Sequence, residues 1–138
     1  MKKHLLVPCG AALCLLLSAA VLSCKKNATP PPPRTIRYIL YTKQDFSTGT
    51  DTIRFRLHMH TTGATGRILL DSNIAPMMIS EIPDQQHQLV FEKTVPAGHD
   101  QDKLVVGFVY DIDNVGEGWY LDSSLAGQAT KIVEYSFK

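Results

Sequence analysis

Asp51-Thr52-Ile53-Arg54-Phe55-Arg56-Leu57-His58-Met59-His60 is the stretch that decides the fold. Apolar and polar residues alternate along it without a break. Ile53, Phe55, Leu57 and Met59 fall on one side; Arg54, Arg56, His58 and His60 fall on the other. A period of two is that of a β-strand with one face in a core and one in water. A helix would need its apolar residues three and four apart.

The flanking sequence continues in the same style. Thr35 to Thr42, Arg67 to Asp71, Gln88 to Val95, Val115 to Leu121 and Thr130 to Lys138 are short β-type runs. Lys103 to Asp111 is apolar on both faces, as a central strand is. Turn-forming clusters separate the runs: Lys43 to Gly49, Thr61 to Gly66, and Pro96-Ala97-Gly98. Pro76 and Pro83 exclude a central strand between Asn73 and Pro83, and Met77-Met78-Ile79 fits an edge segment. The pattern predicts an all-β domain over 34–138: a seven- to eight-stranded antiparallel β-sandwich, Ig-like or related. No internal repeat is visible.

The chain has 138 residues, 20% of them charged, with formal net charge +1. That bounds it to one folded domain and excludes an α/β barrel. The charge balance gives no case for nucleic acid.

The first residues are of another kind. Lys2, Lys3 and His4 precede an almost wholly apolar stretch from Leu5 to Leu22, which ends in Ser18, Ala19, Ala20 and Ser23. This is the layout of a secretory signal peptide over 1–23. A retained transmembrane helix is the competing reading, since the stretch is nearly long enough and Lys25-Lys26 follow it.

Val21-Leu22-Ser23-Cys24 resembles a lipobox, the motif of bacterial lipoproteins. The resemblance implies cleavage before Cys24, a diacylglycerol on its thiol and acylation of the new amino group. Two or three acyl chains hold a protein stably to a bilayer, at about 0.8 kcal/mol per buried methylene. The chain as a whole resembles small lipoproteins of Gram-negative cell envelopes. Lys25 after Cys24 then implies the outer membrane, with the periplasmic or surface side left open.

Under this reading Cys9 and Cys14 leave with the peptide and Cys24 carries lipid, so the domain has no cysteine for a disulfide, a nucleophile or zinc. Loss of Lys2 and Lys3 takes the 14 basic residues to 12 against 13 acidic ones, a net charge of −1. Residues 24–33 form a tether. Pro30 to Pro33 impose polyproline II geometry, and Lys25 and Lys26 stand beside the headgroups.

Four features of the domain are candidates for chemistry. His58-x-His60 places two imidazoles on one face of a strand, as zinc sites do, with His87, His99 or a carboxylate as a third ligand. Asp111-x-Asp113 before Asn114 and Gly116 is similar to part of a calcium loop. Val115 stands at its fifth position, Asp122 stands where the closing glutamate belongs, and flanking helices are missing, so a hairpin connection competes. Trp119 and Tyr120, with Tyr110 near in sequence, suggest an aromatic platform for sugar, flanked by Asp111, Asp113 and Asp122. Burial in the core is the expected fate of a lone Trp in a sandwich. Arg54, Arg56, His58 and His60 form a basic stripe that an acidic partner, an anionic glycan or lipopolysaccharide phosphates could meet, against the plainer reading of a solvated strand face that guards against edge aggregation.

No G-x-S-x-G, H-E-x-x-H or P-loop motif occurs. The sequence therefore predicts a lipid-anchored, non-catalytic module of the envelope that contacts protein or glycan. A metal-dependent module using zinc or calcium is the alternative, and a small hydrolase comes third.

Overall fold

The computed structural model describes residues 33–63 and 66–138. The signal peptide, Cys24 and all of the tether before Pro33 lie outside the described residues. Among the described residues eight strands follow one another: β1 (Thr35–Thr42), β2 (Thr52–Thr61), β3 (Ile68–Asn73), β4 (Met77–Met78), β5 (Leu89–Thr94), β6 (Leu104–Ile112), β7 (Gly116–Ser124) and β8 (Thr130–Phe137). A short 3-10 turn, Ile79–Glu81, follows β4.

The strands form two sheets, one ordered β5-β1-β8 and one ordered β3-β2-β6-β7, with the two-residue β4 pairing to the start of β2. The expected sandwich is present, and the apolar run read at 103–111 is central: it forms β6, Leu104–Ile112, between β2 and β7. One pairing departs from the antiparallel expectation: β1 and β8 run parallel from Thr35↔Thr130 to Thr42↔Phe137. β8 enters the small sheet from β7 of the other sheet, so no tight hairpin dictates its direction.

The core is what the alternation dictates. Ile53, Phe55, Leu57 and Met59 of β2 and Leu104, Val106 and Phe108 of β6 are buried against Ile36, Tyr38 and Leu40 of β1 and Val133 and Phe137 of β8. Phe108 meets Tyr38 edge-on at 5.7 Å between ring centroids, and Phe55 meets Phe137 edge-on at 5.9 Å. These geometries favour the ring quadrupoles. The Tyr38 hydroxyl donates to the His58 carbonyl at 3.1 Å, which ties the small sheet to the large one. Burial pushes its phenol well above the ordinary tyrosine range.

Two contacts close the side of the sandwich between β7 and β8. Tyr120 stacks on Tyr135 at 4.7 Å, and the Lys131 ammonium pairs with Asp122 at 2.5 Å.

Arg34, the first residue after the proline run, is 2% exposed. Its guanidinium donates from one nitrogen to the carbonyl of Asp102 at 2.6 Å, and from the other to Ser124 Oγ at 2.6 Å and the Leu125 carbonyl at 2.7 Å. One side chain thus fastens the entry of β1 to the loop before β6 and the end of β7. The planar fork of five donors is what makes this possible.

Candidate functional site

The outer face of the larger sheet gathers the candidate residues. Outward residues of β2 pair across with those of β6: Arg54 with Asp111, Arg56 with Val109, His58 with Gly107, and His60 with Val105. These pair in turn with Glu117, Trp119, Leu121 and Ser123 of β7. On the other side of β2, Asp71 lies opposite His58 and Asn73 opposite Arg56.

Side-chain size along these rows shapes the surface. The middle strand contributes Val105, Gly107 and Val109, which are short; its neighbours contribute Arg56, His58, Glu117, Trp119 and Leu121, which are long. The result is a trough along β6. A depression of about 320 Å³ is lined by His58, Asp71, Val109, Trp119 and Leu121. A second, of about 440 Å³, is lined by Arg54, Asn73, Ile74, Pro76 and Asp111. Arg56 and Glu117 border both.

Trp119 is 67% exposed on the wall of this trough. The expectation of a core tryptophan is therefore corrected: Val109, its cross-strand partner, points outward, so Trp119 does too. The platform pairing Trp119 with Tyr120 is corrected as well. Successive strand residues point to opposite faces. Tyr120 pairs with core Phe108 and lies against Tyr135 on the inner side of β7, with 37% of its surface still exposed at the sheet edge. Tyr110 likewise points inward, where its ring covers Gly118; a Cβ on that glycine would come within 2.5 Å of the ring. Leu121, 39% exposed, and Ile68, 59% exposed, are the apolar companions of Trp119 that sequence reasoning missed. The alternation of β7 carried the signal for Leu121.

The basic stripe is not free cationic surface. Arg54 pairs with Asp113 at 2.5 Å and with Asp111 at 3.6 Å. Arg56 pairs with Glu117 at 2.7 Å and with Asp71 at 3.3 Å. β3, β6, β7 and the β6–β7 turn supply these carboxylates, which spacing within one strand could not reveal. The Arg54 guanidinium holds the Asp113 carboxyl below the usual carboxylate range.

This also settles the local shape of the Asp111–Gly118 segment. It is the β6–β7 hairpin, turned by Asn114 at φ 64° and Gly116 at φ 117°. Both acids that suggested calcium face Arg54. His58 and His60 meet each other, Nε2 to Nδ1, at 2.9 Å. The further histidines do not join them: His87 bonds Asp84 and His99 bonds Asp102. Among the described residues, no three His, Cys, Asp or Glu side chains gather as a metal site would need. Burial, and then the neighbouring His60 and Arg56, lower the pKa of His58 against the opposing pull of Asp71.

No helix among the described residues is long and apolar enough to cross a membrane. No protein-family model matches the chain, and no curated protein matches it.

Proposed function

We propose that the protein is a lipid-anchored, non-catalytic binding module of a Gram-negative cell envelope that contacts protein or glycan through the outer face of its larger sheet. The observation that carries this reading is Trp119, a large flat apolar side chain left in water beside an ordered ladder of ion pairs. Exposed aromatic rings among ordered polar groups are what binding surfaces are built from. The anchor rests on the lipobox residues Val21 to Cys24, and the proline run is the spacer that holds the domain off the bilayer.

Two experiments test the two halves. Cells fed an alkyne-tagged palmitate label the wild-type chain and not Cys24→Ala, which leaves the membrane fraction; a Cys24→Ala chain that stays in the membrane would replace the lipid with a retained helix. A photoreactive amino acid at Leu121 forms crosslinks in intact cells that Trp119→Ala abolishes. Crosslinks that ignore Trp119 would move the contact off this face.

A further inference from the structure

We infer that the trough along β6 is a binding site for a neutral, β-linked oligosaccharide, with Trp119 as the stacking platform. The inference rests on the binding role proposed above for this face. Three features of the trough choose the ligand class.

The first is shape. From Arg54 to His58 the two depressions follow four strand steps of β2, about 13 Å at strand rise, between walls on β2 and β7 that stand two strand spacings apart, about 10 Å, and that the Arg56–Glu117 pair bridges between the depressions. Two shallow depressions in line, divided by that pair, suit a short linear chain lying across both better than one compact metabolite. The second is charge. Arg54 and Arg56 are each already paired, and four carboxylates (Asp71, Asp111, Asp113 and Glu117) surround these two cations. An anionic glycan or a phosphate finds no free cation here and meets surplus negative charge. A neutral polyol finds carboxylate and guanidinium groups held in place by one another, ready to take hydroxyl hydrogen bonds. The third is the backbone. β6 is paired on both sides, so the floor has no strand edge to offer an extended peptide. A saccharide needs none. In β-linked sugars the equatorial substituents leave flat C–H faces, which lie on an indole. Trp119 supplies that indole, and Leu121 and Val109 extend the apolar strip.

Trp119 is the only tryptophan of the chain, so its fluorescence reports the site alone. The purified lipidated protein, in a detergent without a sugar headgroup, is titrated with β-1,4-linked hexasaccharides of glucose, mannose and N-acetylglucosamine. Oligogalacturonate and a lysine-rich peptide serve as charged competitors of the idea. At least one neutral hexasaccharide is expected to shift the emission saturably. Calorimetry on Trp119→Ala should show that binding lost at an unchanged melting temperature. Glu117→Gln should weaken it about tenfold, and Ile132→Ala, on the outer face of the other sheet, should leave it intact. No response to any neutral hexasaccharide at millimolar concentration would overturn the inference. So would a stronger response to the acidic sugar or the basic peptide, or an emission change on concentrating the protein alone, which would point to a second copy. Trp119-dependent crosslinks from Leu121 combined with silence toward sugars would overturn the ligand class and leave the binding module standing. Silence in both would remove both.

Discussion

Arg34 and His58 show how single side chains set stability here. Arg34 is a buried cation whose partners are the carbonyls of Asp100, Asp102 and Leu125 and the Ser124 hydroxyl. Removing it takes the side-chain donor from the Asp102 carbonyl, while Gln128 still bonds the Ser124 hydroxyl and the Leu125 carbonyl. Arg34→Ala is expected to cost about 3 kcal/mol, read as a lower urea midpoint at unchanged slope. Arg34→Lys should recover less than half of that loss, because one ammonium cannot reach both loops as a planar fork does. His58 acts through pH. Its pKa in the folded protein lies below the unfolded value of about 6.5. Below that pH the unfolded chain takes up a proton that the folded chain refuses. Stability is therefore full above about pH 6.5 and falls as pH drops toward the folded pKa, where the loss levels off. His58→Gln should flatten that part of a stability profile measured by urea unfolding.

At the scale of the element, the middle strand of the larger sheet is tuned by what it lacks. Gly107 lies between His58 and Leu121 in the floor of the trough. A Cβ there would land on the carbonyl oxygen of Tyr120, which is backbone and cannot swing aside. Gly107→Ala is expected to destabilise the domain by about 1–3 kcal/mol, as overpacking does, and to push β7 away from β6. Hydrogen exchange at Tyr120 and Leu121 would report the loosened pairing. The ion pairs on the same face are exposed, so Arg54→Ala and Arg56→Ala should each leave the urea midpoint almost unchanged. Their function is order on the surface rather than stability.

At the scale of the whole molecule, the sandwich is held by its core and by the closure between β7 and β8. Lys131 holds the Asp122 carboxyl below the usual carboxylate range. A lowered carboxylate pKa gives stability that is present above the unfolded value of about 3.9 and lost as pH falls through the folded one. Asp122→Asn should therefore remove part of the acid sensitivity of thermal unfolding below about pH 4. All three cysteines lie at or before Cys24, so a reducing agent should leave the melting temperature of the domain unchanged.

How much of this the sequence carried depends on the range of the interaction. Alternation is local. It determined that Ile53, Phe55, Leu57 and Met59 enter a core; the run apolar on both faces at 103–111 marked the central strand, and the count of short strands marked the β-sandwich. Candidate residues on β2 were legible for the same reason, since they are the other half of one pattern. Register and pairing are not local. Only the tertiary structure decided that Arg54 and Arg56 face four carboxylates and that Trp119 stands in water while Tyr120 turns inward. Only it decided that β8 lies parallel to β1. A strand's sequence fixes which residues share a face. Which neighbour lies opposite, and hence whether a charge is free or a ring covered, is set by strands that can lie fifty or more residues away.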